Sequence, residues 1–137
     1  MSISNPKPPI SAQLEASHIV LLDCISALKT SSRDFASLKT KLTVFIDSLL
    51  GHFQIQNDEL FRILEENYRR QNPQSQMPFF FKAELKELKV TVYGFMEQYM
   101  ERPSPSVRFN FNRDLKELIQ TVLQRIETER AYMVPYC

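Results

Sequence analysis

LTVFIDSLLGHFQIQNDELFRIL, residues 42–64, decides the fold. Leu42, Phe45, Leu49, His52, Gln56, Leu60 and Ile63 recur at steps of three and four. That is the helical period, and it draws one stripe along a helix face that must be buried. Phe35 and Leu38 carry the stripe upstream, so the spacing predicts a helix over 34–70. Its weak points are alternatives, a break near Gly51 or fraying past Tyr68. The stretch also holds a contradiction. Two of its stripe positions, His52 and Gln56, are polar.

The same period appears three more times. Leu14, His18, Leu21, Ile25 and Leu28 mark a helix over 11–30. Phe81, Leu85, Leu88, Val92, Phe95 and Tyr99 mark one over 79–101, and Leu115, Leu118, Val122, Arg125 and Glu129 one over 112–132. Prolines punctuate the gaps: Pro73 and Pro78 bracket one polar stretch, Pro103 and Pro105 another. The runs between them contain no proline, as helices require. Residues 30–34, TSSRD, read as the first turn, with Ser32 or Asp34 as a cap. The alternation in VRFNF, 107–111, reads as a short extended lead-in whose Val107, Phe109 and Phe111 cap one end of the core. Four helices with short connections predict an all-α, antiparallel up-down-up-down four-helix bundle. It forms one domain over 11–137, behind a flexible proline-rich leader, 1–10.

Composition narrows the function. Lys plus Arg number 17 and Asp plus Glu 16, so net charge makes no case for nucleic acid or an anionic membrane. Two glycines leave no phosphate-cradling loop. No apolar run reaches membrane-spanning length, and MSISNPKPPI has no secretory core, so the expected address is cytoplasmic. Cys24 and Cys137 read as reduced thiols, the first buried and inert, the second exposed. Phe79, Phe80 and Phe81 read as core and helix-start packing, with one ring expected in solvent. Two histidines leave little scope for a catalytic triad, and a non-enzymatic protein is expected.

Five stripe positions break the apolar rule: His18, His52, Gln56, Arg125 and Glu129. A buried polar group is costly unless paired. In an up-down-up-down bundle these five fall in one layer, where facing helices hold bundle metal sites. His18, His52 and Glu129 are the candidate metal ligands, as a vestigial or mononuclear iron or zinc site. The plainer reading is a pair of satisfied core histidines. Arg125 then supplies a positive charge, paired with Glu129 and bonded by Gln56 and the neutral histidines.

These residues resemble the hemerythrin-like, HHE cation-binding four-helix bundles. LEASHIVLLDCISAL at 14–28 looks like that family's first helix with its histidine, His18. GHFQIQNDELFRIL at 51–64 looks like the second-helix motif, and LIQTVLQRIETERAYMVPY at 118–136 like the fourth. The family's bridging carboxylate is Gln56 here, its following acid is Asn57, and its fourth-helix histidine is Arg125. The third helix, ELKELKVTVYGFMEQ at 84–98, offers no histidine; Leu85 holds the nearest stripe position. The resemblance therefore implies the fold without its di-iron site. A more local likeness, LTVFIDSLLGHFQI at 42–55 and RIETE at 125–129, is similar to sigma-factor-binding regulators of the Rsd/AlgQ type. Together these imply a regulatory or protein-interaction module with no cofactor. The alternatives are an iron or zinc sensor of oxygen, nitric oxide or redox state, an anti-sigma-like transcription regulator, and a homodimer sealed by Phe79 to Phe81.

Overall fold

A computed structural model describes residues 8–30, 35–101 and 108–137. Five α-helices run along the described residues: α1 Ile10–Lys29, α2 Phe35–Ile55, α3 Asp58–Gln71, α4 Met77–Met96 and α5 Arg108–Tyr132. A π-helical turn, Glu97–Glu101, follows α4, and a 3-10 turn, Val134–Tyr136, follows α5. The described residues contain no strand, so the chain is all-α. None of these helices is long and apolar enough to cross a membrane.

α1 buries Leu14, His18, Leu21, Ile25 and Leu28, the stripe of its sequence pattern. It starts after Pro9, and Thr30 closes it by donating its hydroxyl to the Ser26 carbonyl, 3.1 Å away.

The expected single helix over 34–70 is two helices. The break falls at Gln56–Asn57, five residues past Gly51. Asn57 is extended (φ −101°, ψ −177°), and its side chain accepts the Leu60 N–H at 3.1 Å. Asp58 and Glu59 follow in the first turn, where negative charge meets the positive end of the helix dipole. A polar cap that satisfies otherwise orphaned N–H groups outweighs the modest helix penalty of glycine, so Gly51 stays helical.

α4 begins two residues before the expected start. Pro78 sits in its first turn, where the missing N–H has no helical partner to lose. It gives way to the π-helical turn at Glu97, earlier than the expected end at 101. α5 begins at Arg108, so 108–111 is helical and not an extended lead-in. Phe111 is half-buried there, its ring 6.0 Å from Phe95 and 5.2 Å from Tyr99. Val107, the Phe109 side chain, the caps expected at Ser32 and Asp34, and most of the leader lie outside the described residues.

α1 packs on α2, α3 on α4, α4 on α5, and α5 returns to α1. Phe45, Ile46, Leu49, Leu64, Leu118 and Val122 are among the fully buried side chains that join these helices. Each such side chain contributes roughly 1.5–3 kcal/mol on leaving water.

Two smaller expectations need correcting. Both Phe79 and Phe80 are exposed, at 65% and 59%, while Phe81 is core. Cys137 is half-buried, with its thiol 3.7 Å from the Val134 carbonyl; Cys24 is also half-buried. Burial, with the nearby Glu15 charge, pushes the Cys137 thiol above its usual range.

Candidate functional site

Among the described residues, the buried polar or charged side chains are His18, His52, Gln56, Arg125 and Glu129. They come from α1, α2, the α2–α3 break and α5, and they meet at one carboxylate. Glu129 Oε1 accepts from His18 Nε2 at 2.8 Å and from His52 Nε2 at 2.7 Å. Its Oε2 accepts from Gln56 Nε2 at 3.0 Å and from Arg125 Nε at 2.8 Å. Four donors fill the acceptor capacity of an ionised carboxylate. Glu129 is fully shielded from solvent.

The guanidinium is equally well placed. Arg125 Nη2 donates to Gln56 Oε1 at 2.7 Å, and Nη1 reaches the Phe81 carbonyl at 3.2 Å and Glu84 Oε1 at 3.4 Å. Arg125 therefore points inward, 3% exposed. Gln56 closes a ring by donating to the acid and accepting from the base. A carboxylate at that position has no N–H to donate, so the ring requires an amide.

Burial works to raise the Glu129 carboxyl pKa. Hydrogen bonds from His18 and His52, with the charges of His52 and Arg125, overcome it and hold the group at about 2. The layer thus keeps an ionised acid beside a cation deep in an apolar core. A buried pair survives only when further hydrogen bonds satisfy both partners, as they do here.

Two details differ from the sequence-based expectation. The histidines bond to the acid, not to the guanidinium. Three further participants carry no stripe signal: Ser17, whose hydroxyl lies 2.7 Å from His52 Nδ1; Glu84, exposed at the layer's edge; and the Phe81 carbonyl.

The layer does not fit a di-iron centre. It holds one buried carboxylate and two imidazoles, with a guanidinium on the second carboxylate oxygen. A single ion is a closer match, since one ligand atom from each of His18, His52 and Glu129 lies within 4.8 Å of the others. Proton positions oppose it. A carboxylate only accepts, so each imidazole donates from Nε2, the atom that a shared ion needs bare. Reversing His18 would place its proton on Nδ1, which is buried with no hydrogen-bond partner. Metal-bound histidines almost always have an acceptor at that second nitrogen.

Other charged groups lie apart from the layer. Arg69 pairs with Glu65 at 2.6 Å on the exposed side of α3. On α4 and α5, Tyr99 donates to Asp114, and burial with that bond raises the phenol pKa to about 12. Comparison with protein-family models, curated proteins and solved structures finds no match to this chain.

Proposed function

We propose that the chain is a non-enzymatic protein-interaction module, built as a hemerythrin-like, up-down-up-down four-helix bundle whose metal layer is replaced by an ion pair. In this reading α2 and α3 count as one bent helix. The observation that carries it is Glu129, whose four acceptor positions are all taken, one by the Arg125 guanidinium. A charge supplied by the protein does the structural work that an ion would do. Function then moves to the surface, where Phe79, Phe80, Val90 and Tyr93 of α4 are more than half exposed. The local likeness of 42–55 to sigma-factor-binding regulators makes a transcription protein one class of partner.

A second reading, a mononuclear iron or zinc sensor, draws on the closeness of His18, His52 and Glu129. One preparation tests both readings. Untagged protein, purified without chelator from iron- and zinc-supplemented cells, is assayed for metal by mass spectrometry and for a defined complex by cross-linking. Metal far below one ion per chain, with a reproducible protein complex, is the expected result. Near-stoichiometric metal released by His18→Ala would establish the sensor instead.

A further inference from the structure

Hydroxyls inside helices turn back on their own chain when nothing else claims them. Thr40, Thr43, Thr91, Thr121 and Thr128 all do so, each donating to the carbonyl four residues earlier at 2.9 to 3.1 Å. Ser17, inside α1, reaches across to α2 instead. Its hydroxyl lies 2.7 Å from His52 Nδ1.

The direction of that bond is set by the acid behind it. Glu129 is ionised and only accepts, so His52 carries its proton on Nε2, 2.7 Å from Glu129 Oε1. A neutral imidazole has one ring proton, so Nδ1 is a bare lone pair. Ser17 is therefore the donor, with its O–H aimed at a base. Hydroxyl, imidazole and carboxylate form a relay of two 2.7 Å hydrogen bonds. A base within reach of a hydroxyl, itself oriented by a third group, is the arrangement that activates serine. The two ring nitrogens exchange the places they hold in serine proteases, but the roles are the same.

His18 shows the same tautomer without a hydroxyl. Its Nε2 also donates to Glu129, at 2.8 Å, and its Nδ1 is buried with no hydrogen-bond partner. The layer thus tolerates one bare Nδ1, so satisfying the other is not a sufficient account of Ser17. Ser17 also differs in access. His18, His52 and Glu129 are buried, whereas Ser17 is half-buried between exposed Ala16 and buried His18 on α1. It is the outer end of the relay. Main-chain N–H groups around it are spent inside α1, so an oxyanion forming there meets no preorganised donors from that helix. The relay favours attack more than turnover.

We propose that Ser17 is an acyl-acceptor site, whose Oγ attacks the carbonyl carbon of a small activated ester. The Oγ proton passes to His52 Nδ1 as the new carbon–oxygen bond forms. The bond to the leaving group then breaks, the leaving oxygen keeps the electron pair and takes the proton from Nδ1, and Ser17 is left as an ester. His52 is the general base, and Glu129 positions it. This goes beyond the interaction-module reading but rests on its metal-free layer. An ion on His52 Nε2 would move the ring proton to Nδ1 and turn the bond to Ser17 round.

The test uses the whole protein, purified without chelator and incubated with p-nitrophenyl acetate. Acetylated serines are located by peptide mass spectrometry, and metal is measured in the same sample. Ser17 is expected to be acetylated about a hundredfold faster than Ser26, an exposed serine of the same helix, or more, as a positioned general base supplies. His52→Asn keeps an acceptor but removes the base, and is expected to bring Ser17 down to the Ser26 rate. Circular dichroism checks that this variant folds; if it does not, the wild-type ratio decides alone. Equal labelling of Ser17 and Ser26 in metal-free wild type overturns the proposal and leaves the interaction module standing. Unchanged labelling of Ser17 in folded His52→Asn overturns it as well. Near-stoichiometric metal with an unreactive Ser17 overturns both readings.

Discussion

Arg125 and Glu129 are each tolerable in the core only because of the other. Removing the guanidinium leaves the buried carboxylate with two imidazoles and one amide as its only donors. Arg125→Leu is therefore expected to destabilise the protein by roughly 3–5 kcal/mol. Arg125→Lys keeps the charge but lacks the planar fork that reaches Glu129, Gln56 and the Phe81 carbonyl together, so it should fall between the two. Urea midpoints at pH 7 check the order; a wild-type midpoint for Arg125→Leu would mean the pair holds nothing up. Acid gives a second test. Glu129 lies at about 2 in the folded protein, below its ordinary 4.5, with His18, His52 and Arg125 facing it. The unfolded chain therefore takes up the proton first. The stabilisation is complete above about pH 5 and drains away as pH falls toward 2, by an amount of the order of 3 kcal/mol. Glu129→Gln binds no proton there, so its stability should fall less steeply over that interval. All five core members of this network were legible in the sequence, because each is a polar residue on an apolar stripe. Ser17 and Glu84 were not: they lie beside the stripe, where polar residues are ordinary. The Phe81 carbonyl is main chain and has no sequence signal at all.

At the scale of elements, the misread helix break is instructive. The sequence period runs unbroken from Leu49 through Gln56 to Ile63, although α3 buries Leu60, Phe61, Leu64 and Tyr68 and leaves Ile63 half-buried. Stripe spacing alone therefore does not reveal the break. The signal was local chemistry: Asn57 followed by Asp58 and Glu59 is a helix start, and Gly51 was the weaker candidate. The two residues should respond oppositely to alanine. Asn57→Ala loses the bond to the Leu60 N–H and is expected to cost about 1 kcal/mol. Gly51→Ala adds a methyl group into open space within α2 and restricts the unfolded chain, so a gain of about 0.5–1 kcal/mol is expected. Chemical denaturation of the two variants measures both. A destabilised Gly51→Ala would show that the glycine does mark a hinge. The start of α5 was missed for a related reason: the alternation of VRFNF mimics a strand over too few residues to outweigh the helical period that follows.

Across the whole molecule, the polar layer works as a keystone that ties α5 to α1 and α2, which lie far from it in sequence. Glu129 bonds to residues 111 and 77 positions away. One substitution therefore changes the contacts of α1, α2 and α5 together, and so does one ion. This gives the metal question a test by construction as well as by assay. With Glu129 ionised and Arg125 charged, the layer is balanced without an ion when both imidazoles are neutral. Arg125→His with Gln56→Glu removes the cation, adds an imidazole and replaces an amide by a second carboxylate. The layer then carries two negative charges and five potential ligands, with nothing to neutralise them. A divalent ion is the species that restores the balance. The double variant is expected to be unstable alone and to recover with zinc, its melting temperature climbing with zinc concentration as binding to the folded state requires. Wild type in the same titration should not move, because Arg125 already occupies the electrostatic role. If wild type rises with zinc as the variant does, the guanidinium is not standing in for a metal, and His18, His52 and Glu129 form a working site. If neither responds, the layer has lost the geometry for metal as well as the charge, and the ion pair is an independent solution to filling the same space.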